Sequence, residues 1–141
     1  MIVRLLNPGD EAIHGEAIRL LNDGAQITRE RSAALLAEPT YIFIVATNDS
    51  GEVMGRIYGH VLHRFAQTDL LLYEVDVLEV HQRKGVGKAM LEFIKQLCAE
   101  RGFREAWVLT EGDNKPARAL YESAGGMEEG YPTAMYVFYP F

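Results

Sequence analysis

The chain has 141 residues, of which 48% are hydrophobic and 24% charged, and its formal net charge is −6. This length and composition predict one globular domain, residues 1–141, with a hydrophobic core of its own. The negative charge argues against nucleic acid as a partner and favours a cationic one, and no apolar run is long enough to cross a membrane. Cys98 is the only cysteine, so we expect no internal disulfide. The chain starts in a strand pattern and not in a signal peptide, so we expect a cytoplasmic location.

The first half of the chain combines two short helices with strands that pair as a hairpin. Asp10 and Thr28 are good helix N-caps, Pro39 ends a helix, and Gly51 closes a turn. The predicted elements are, in chain order, strand 2–6, a helix that begins after Asp10, a helix from Thr28 to Leu36, strand 41–47, turn 48–51 and strand 52–62.

The second half alternates strands and helices, which is the pattern of crossover connections between parallel strands. Its predicted elements are a central strand that ends near Glu79, the main helix 85–101, strand 106–110, a helix from Asn114 to Gly125, and a C-terminal hairpin near 127–130 and 134–141. The order βααβββαβαββ predicts an α/β fold with one mixed sheet of about seven strands, flanked by about four helices.

The segment HQRKGVGK, residues 81–88, lies between the apolar central strand and the amphipathic main helix. Gly85 and Gly87 let the backbone approach a ligand closely and leave N–H groups pointing outward, and the start of the helix adds its positive dipole end. Formal positive charge comes from three side chains in the loop, Arg83, Lys84 and Lys88. These features predict a diphosphate site, and a plain glycine turn with solvated basic residues is the alternative.

The glycine spacing indicates which diphosphate carrier to expect. The nucleotide pattern G-x-x-x-x-G-K-[ST] does not occur, and the dinucleotide pattern G-x-G-x-x-G/A fails because Met90 stands at its third small position. The pattern Q/R-x-x-G-x-G/A is met by Gln82, Gly85 and Gly87.

Two carboxylates, Glu74 and Asp76, interrupt the otherwise apolar central strand. Residues two apart on a strand point to the same face, so these side chains are expected to lie side by side. Two close like charges raise the pKa of one of them, which is one way to tune a carboxylate for general-base work, and the pair would attract an ammonium group. A solvated face near the end of the strand is the alternative.

A second block follows the short strand around Trp107. Its pattern N-x-x-A-x-x-x-Y-x-x-x-G is met by Asn114, Ala117, Tyr121 and Gly125. Together with the glycine loop, this block resembles the GCN5-related N-acetyltransferase (GNAT) superfamily over nearly the whole chain, and the predicted element order agrees with its fold. The resemblance implies an acyltransferase that uses acetyl-CoA as cosubstrate and no metal, and that transfers acetyl directly to a primary amine.

The resemblance also implies roles for particular residues. An acidic residue of the central strand acts as the base, directly or through water; Glu74 is the first candidate and Asp76 the second. Tyr121 protonates the leaving thiolate, and a core aromatic beside Leu120 is the alternative for this residue. A backbone N–H near Val77 stabilises the oxyanion. The residues expected to contact the coenzyme are Val75, Asp76, Val77, Gln82, Arg83, Lys84, Gly85, Val86, Gly87, Lys88, Asn114, Ala117 and Tyr121.

Within the superfamily, the central region is similar to the GNAT-type aminoglycoside 3-N-acetyltransferases. In that subgroup an aromatic and an acidic residue occupy the positions of Tyr73 and Glu74, and an acidic residue occupies that of Glu111. With Asp113, these are the candidate substrate-binding residues, and an acidic cleft suits a polycationic sugar. Protein N-termini, polyamines and other small amines stay open as acceptors, as does a non-catalytic acetyl-CoA-binding module. A homodimer is expected because GNAT domains often dimerise.

Overall fold

The computed structural model describes residues 1–130 and 134–139, and its fold is one sheet with helices on both faces. The elements are, in chain order, β1 (Ile2–Leu5), α1 (Glu11–Leu21), α2 (Arg29–Ala37), β2 (Tyr41–Thr47), β3 (Val53–His63), β4 (Thr68–Val77), a 3₁₀ turn (Glu79–His81), α3 (Val86–Arg101), β5 (Ala106–Val108) and α4 (Lys115–Ser123). The five strands lie in sequence order, with β1 to β4 antiparallel and β5 parallel to β4. No helix within the described ranges is long and apolar enough to cross a membrane.

The C-terminal part of the chain corrects the predicted strand count. The sheet has five strands and not about seven, because residues 127–130 and 134–139 do not form the predicted hairpin. The run from Met135 to Tyr139 is apolar at every position, so it has no alternation that would select one face for burial and set a register. Its side chains are exposed. Residues 131–133, which join the two strands of the predicted hairpin, and the last residues, 140–141, lie outside the described part of the chain.

The helices begin and end close to where their cap residues predict. The Thr28 hydroxyl and the Asn114 side-chain oxygen accept hydrogen bonds from first-turn N–H groups of α2 and α4, at 3.0 and 3.2 Å. Gly102 ends α3 with a φ of 72°, the left-handed conformation common at helix C-termini. Asp10 differs from the prediction, because its carboxylate binds the Arg4 guanidinium at 3.0 Å and makes no capping hydrogen bond to α1.

The sheet separates two hydrophobic cores. On one face, Met90 and Ile94 of α3 share a core with strand residues such as Ile44 and Ile57. On the other face, α1 and α2 cover a smaller cluster that includes Phe43. The direction in which each strand residue points therefore decides whether it meets the long helix α3 or the two short helices.

An extra residue in β4 changes this direction partway along the strand. Tyr58 of β3 pairs with Glu74, whereas the next residue, Gly59, pairs with Leu72. Tyr73 has no register partner on β3 and forms a β-bulge. The alternation of side chains along β4 consequently shifts by one position at Tyr73.

The shift moves the acidic residues to the face of α1 and α2. Leu72 before the bulge packs in the α3 core, and so do Val75 and Val77 after it. In an uninterrupted strand Glu74 and Asp76 would have shared the face of Leu72. The bulge instead leaves the valines in that core and turns both carboxylates away from it.

Two glycine substitutions test the bulge. A Cβ at Gly59 would lie 2.0 Å from the backbone oxygen of Leu71. Gly59→Ala should therefore lower the free energy of unfolding by about 3 kcal/mol, the upper end of typical overpacking costs. Gly15→Ala is the matched control: its Cβ would meet only Ile27 Cγ2, at 3.7 Å, and alanine in α1 should stabilise by about 1 kcal/mol. Urea unfolding measures both, and equal effects would contradict the assigned pairing.

Candidate active site

Two carboxylates meet one buried guanidinium on the face covered by α1 and α2. Glu74 and Asp76 both accept hydrogen bonds from Nη2 of Arg56, the bond to Asp76 at 2.9 Å. The Arg56 side chain is 1% exposed, whereas 30% of the Glu74 and 41% of the Asp76 side chain remain exposed. The carboxylates do lie side by side, but a positive charge binds both. The sequence argument from two uncompensated like charges therefore does not apply.

The hydrogen bonds of Glu74 distinguish its two oxygens. Oε2 accepts from Arg56 and, at 3.4 Å, from the side-chain amide of Asn22 at the end of α1. Oε1 lies 3.5 Å from the Tyr58 hydroxyl, at the long limit of a hydrogen bond. Since Oε2 is engaged twice, Oε1 is the oxygen with the larger remaining capacity to accept a proton.

A cavity of about 290 Å³ lies beside this carboxylate. It is lined by the three residues that hydrogen-bond to Glu74, namely Asn22, Arg56 and Tyr58, and by Tyr41. Ring centroids are 6.2 Å apart between Tyr41 and Tyr58, and 5.5 Å apart between Tyr58 and the bulge residue Tyr73. An aromatic wall next to a carboxylate can bind a small cationic group through its π faces.

A buried histidine supports the floor of this cavity. His14 of α1 is fully buried, and its two ring nitrogens each lie 2.8 Å from a hydroxyl, one of Ser32 and one of Tyr41. Burial lowers the pKa of His14 to about 4, so the ring is neutral at pH 7 and can donate to one hydroxyl and accept from the other. Burial also raises the pKa of Tyr41. Neutral hydrogen bonds thus join α1, α2 and β2 beneath the cavity.

The glycine loop lies between β4 and α3, as predicted, and a 3₁₀ turn that the sequence did not predict, Glu79–His81, precedes it. Gly85 is the N-cap of α3 with a φ of 82°, which glycine adopts without strain. No side chain among the described residues caps α3, so its first N–H groups are available to an anion. Gly87 packs against α4, where a Cβ would lie 2.8 Å from the Leu120 side chain. The basic side chains of the loop are exposed: Arg83, Lys84 and Lys88.

The edge of β4 next to this loop is open. β5 pairs only with residues 70–72 of β4, so the second half of β4 has no parallel partner in the described part of the chain. The N–H of Leu78 donates to β3, and N–H groups alternate in direction along a strand, so those of Val75 and Val77 point to the open edge. The Gln82 side chain donates to the Val77 carbonyl at 3.0 Å and ties the loop to this edge.

Tyr121 lies on α4, half buried against the α3 core. Burial raises the pKa of its hydroxyl, and the charge of Asp76 adds to the effect. The phenol is therefore protonated at pH 7 and able to donate its proton.

The remaining candidates lie on the loop before α4. Glu111 and Asp113 are exposed, and within residues 1–130 and 134–139 neither forms a hydrogen bond or ion pair with Glu74. Their part in substrate binding stays a prediction. Asn114 acts as the cap of α4 through Ala117. No three His, Cys, Asp or Glu side chains in the described part of the chain are placed to hold a metal ion.

Sequence reasoning missed the residues that hold Glu74. Arg56 could have been recognised as a candidate from the sequence, since it is a charged residue inside an apolar strand. Its partner, however, follows from the register that pairs Arg56 with Asp76, and that register depends on the bulge. Asn22 reaches Glu74 from the end of α1 and has no local signal at all.

Free N–H groups at the start of α3 and along the open edge of β4 together match an extended ligand with a diphosphate at one end. An acyl-CoA-dependent transferase needs such a site for its acyl donor. The family model described as Acetyltransferase (GNAT) family matches residues 12–126, and the chain belongs to this family, which uses acetyl-CoA.

The chain is similar to one group of curated relatives over part of its length. It is 35% identical over 66 residues to the [ribosomal protein bS18]-alanine N-acetyltransferase of Escherichia coli K12, a match that covers 43% of this chain and 45% of that protein. The chain thus spans about half the length of the curated relatives that it matches.

Solved structures match nearly the whole chain. The aminoglycoside acetyltransferase meta-AAC0020, from an uncultured soil metagenomic sample and in complex with sisomicin, has a TM-score of 0.89 at 20% identity, covering 99% of this chain and 96% of that one. Another soil-metagenome aminoglycoside acetyltransferase, HMB0005, has a TM-score of 0.84 at 25% identity, with 97% and 98% covered. A ribosomal-protein-alanine N-acetyltransferase from Brucella melitensis biovar Abortus 2308 has a TM-score of 0.78 at 16% identity, with 98% and 100% covered. The likeness establishes the shared fold.

The buried His14 predicts a loss of stability in mild acid. Its pKa is about 4 in the folded chain and about 6.5 when unfolded, so the unfolded state takes up a proton first as the pH falls. This contribution is fully present above pH 6.5 and is lost between about pH 6.5 and 4, amounting to about 3 kcal/mol. His14→Gln removes the titration, so the unfolding free energy of the variant should depend less on pH across this window. If chemical denaturation shows the same pH dependence of the unfolding free energy for both proteins, His14 is not the group responsible.

Proposed function

We propose that this GNAT protein transfers the acetyl group of acetyl-CoA to a primary amine bound in the cavity beside Glu74, and that the amine belongs to an aminoglycoside, at the 3-N position. The observation that carries the proposal is the division of β4. Its carboxylates bind Arg56, one of the residues that line the cavity under α1 and α2, while the N–H groups of Val75 and Val77 face the open edge beside the glycine loop.

The donor would be held by the backbone of the loop and of β4. The uncapped N–H groups at the start of α3 suit the diphosphate, and the positive charges of Arg83, Lys84 and Lys88 add to the attraction. The N–H groups of Val75 and Val77 suit the amide groups and the thioester end of the donor. Gln82 supports this arrangement because it keeps the loop against the edge.

The acceptor amine enters as an ammonium ion, which the carboxylates attract. Glu74 Oε1 takes one proton, directly or through water, and the neutral amine attacks the thioester carbonyl. The N–H of Val77 stabilises the oxyanion. The C–N bond forms first and gives this oxyanion; the C–S bond breaks as the oxyanion collapses, and Tyr121 donates its proton to the sulfur of the departing coenzyme. The surplus proton on the new amide nitrogen reprotonates the Tyr121 phenolate, and the proton on Glu74 returns to solvent.

An aminoglycoside acceptor is supported by three observations. The pair Tyr73–Glu74 matches the aromatic–acidic pair of the 3-N-acetyltransferases that the chain resembles. The aromatic wall of the cavity suits the apolar face of a sugar ring with an ammonium group. Two solved structures with closely similar folds are named as aminoglycoside acetyltransferases.

A protein N-terminus is the second candidate acceptor. The 35% identity over 66 residues to the [ribosomal protein bS18]-alanine N-acetyltransferase favours it, since the acceptor named for that relative is a protein. A module that binds acetyl-CoA without turnover is the third. Glu74 and Tyr121 argue against that role, because pure binding needs neither a proton acceptor next to the cavity nor a protonated phenol on α4.

An amine panel separates these candidates. Calorimetry with acetyl-CoA tests donor binding, and coenzyme A release is then followed with sisomicin, an alanine-initiated peptide and spermidine as acceptors. We expect donor binding and turnover of sisomicin. Turnover of the peptide alone would favour the second candidate, donor binding without any turnover would favour the third, and no donor binding would refute the proposed function as a whole.

Two substitutions test the proposed proton transfers. Glu74→Gln and Tyr121→Phe should each lower kcat by about a hundredfold, within the range for general acid or base groups, while acetyl-CoA binding is kept. The control is Glu92→Gln, since Glu92 is an exposed residue of α3 that pairs with Lys95 at 3.1 Å. Its kcat should equal that of the wild type. Full activity of the Glu74 variant would remove the proposed base, and full activity of the Tyr121 variant the proposed acid.

A further inference from the structure

A guanidinium almost completely removed from water needs an explanation, because desolvating it costs several kcal/mol unless it is paired. Arg56 is 1% exposed and projects from the middle of β3. Its two ionic partners are Glu74 and Asp76, and its guanidinium carbon lies 5.0 Å from the centre of the Tyr58 ring. Nε of Arg56 is buried with no hydrogen-bond partner among the described residues. The hydrogen bonds to the two carboxylates thus both come from Nη2, while Nε has none within the described part of the chain.

Folding stability alone does not explain why Arg56 is buried with Glu74 and Asp76. A buried ion pair can often be replaced by apolar residues of similar volume without loss, and here one nitrogen remains unsatisfied as well. The same hairpin offers a contrast at its other end, where Arg64, itself half exposed, pairs at 2.8 Å with Asp69, which is completely buried. There the arginine compensates a buried carboxylate. At Arg56 the relation is reversed, because the arginine is buried and the carboxylates are accessible.

The geometry around Glu74 indicates what Arg56 does. Arg56 and Asn22 both bind Oε2, from β3 and from the end of α1. With Oε2 held from two elements, the carboxylate has one preferred orientation, in which Oε1 is the oxygen near the Tyr58 hydroxyl. An unheld glutamate side chain on a strand would distribute over several rotamers.

We propose that Arg56 is a positioning residue for acetyl transfer, which binds Oε2 of Glu74 and so presents Oε1 to the acceptor amine. The inference rests on the proposed function, since it assigns the proton to Oε1 of the proposed base. It also sets the charge of the site: two carboxylates and one guanidinium leave one net negative charge, which one ammonium group neutralises. Asp76 is then the second anchor of Arg56 and not an alternative base.

A double-mutant cycle tests this role. Arg56→Met keeps most of the side-chain volume and removes the charge, and it should lower kcat by about tenfold to a hundredfold through misplacement of the base. In the Glu74→Gln background, where no base is left to orient, the same substitution should change kcat by less than about threefold. The KM for acetyl-CoA should stay the same in all four proteins, since the glycine loop is untouched.

Matched controls separate positioning from loss of fold. Arg64→Met removes the other arginine–carboxylate pair of the hairpin, and it should lower the unfolding temperature while leaving kcat unchanged. If Arg56→Met does not yield folded protein, Arg56→Lys serves in the same cycle, since lysine keeps the charge but has a shorter reach. If the Arg56 substitution lowers kcat by the same factor in the wild-type and in the Glu74→Gln background, the proposal is overturned.

A crystal structure of Arg56→Met gives a readout that needs no turnover. We expect the Glu74 carboxylate to leave the position in which Oε1 lies 3.5 Å from the Tyr58 hydroxyl. An unchanged carboxylate position would refute the positioning role even if the enzyme is active. Conversely, absence of turnover in the wild-type protein would refute the proposed function, and this crystal structure would still decide whether Arg56 holds Glu74.

Discussion

The unpaired residue at Tyr73 is the constraint on which the site depends. Side chains two apart on a regular strand point to the same face, and Leu70 and Leu72 point into the α3 core. Without the bulge, Glu74 and Asp76 would point into that core as well. There the carboxylates would face Met90 and Ile94, and burial without partners would cost several kcal/mol each. One inserted residue resolves the conflict: Val75 and Val77 continue the core, and the carboxylates turn to the other face. The absence of a side chain at Gly59 leaves room for it, since a Cβ there would collide with the opposite backbone.

Once the bulge is formed, β4 serves two sites at once. Its carboxylates bind Arg56, which lines the cavity under the short helices, and the N–H groups of Val75 and Val77 face the edge that β5 leaves uncovered. The proposed donor and acceptor can therefore approach from different directions and meet at one strand. The helices also serve different sites. The uncapped N–H groups beside the open edge belong to α3, whereas Asn22, at the end of α1, and His14, within α1, lie on the side of the cavity.

Much of the fold could be predicted because its signals are local. The caps Thr28 and Asn114, the helix stop Gly102 and the glycine loop are all defined by residues within a few positions of one another, and the structure has them where the sequence predicts. The predicted C-terminal hairpin was wrong for the opposite reason. An apolar run such as 135–139 favours strand formation, but pairing needs a partner edge and a register, which composition does not specify. For Glu74 and Asp76, the sequence indicated that they lie together but not that Arg56 lies with them.

The sequence by itself determined the class of fold, the glycine loop and its charge, and the pairing of two carboxylates on one strand, because each depends on short-range spacing along the chain. The tertiary structure alone decided which face those carboxylates occupy, which oxygen of Glu74 is left unbound by Arg56 and Asn22, and which edge of β4 stays open. These outcomes depend on register and on contacts between residues far apart in sequence, such as the 52 positions between Asn22 and Glu74. The position of an extra residue in a ladder is set by the whole sheet, so no local pattern could have specified it.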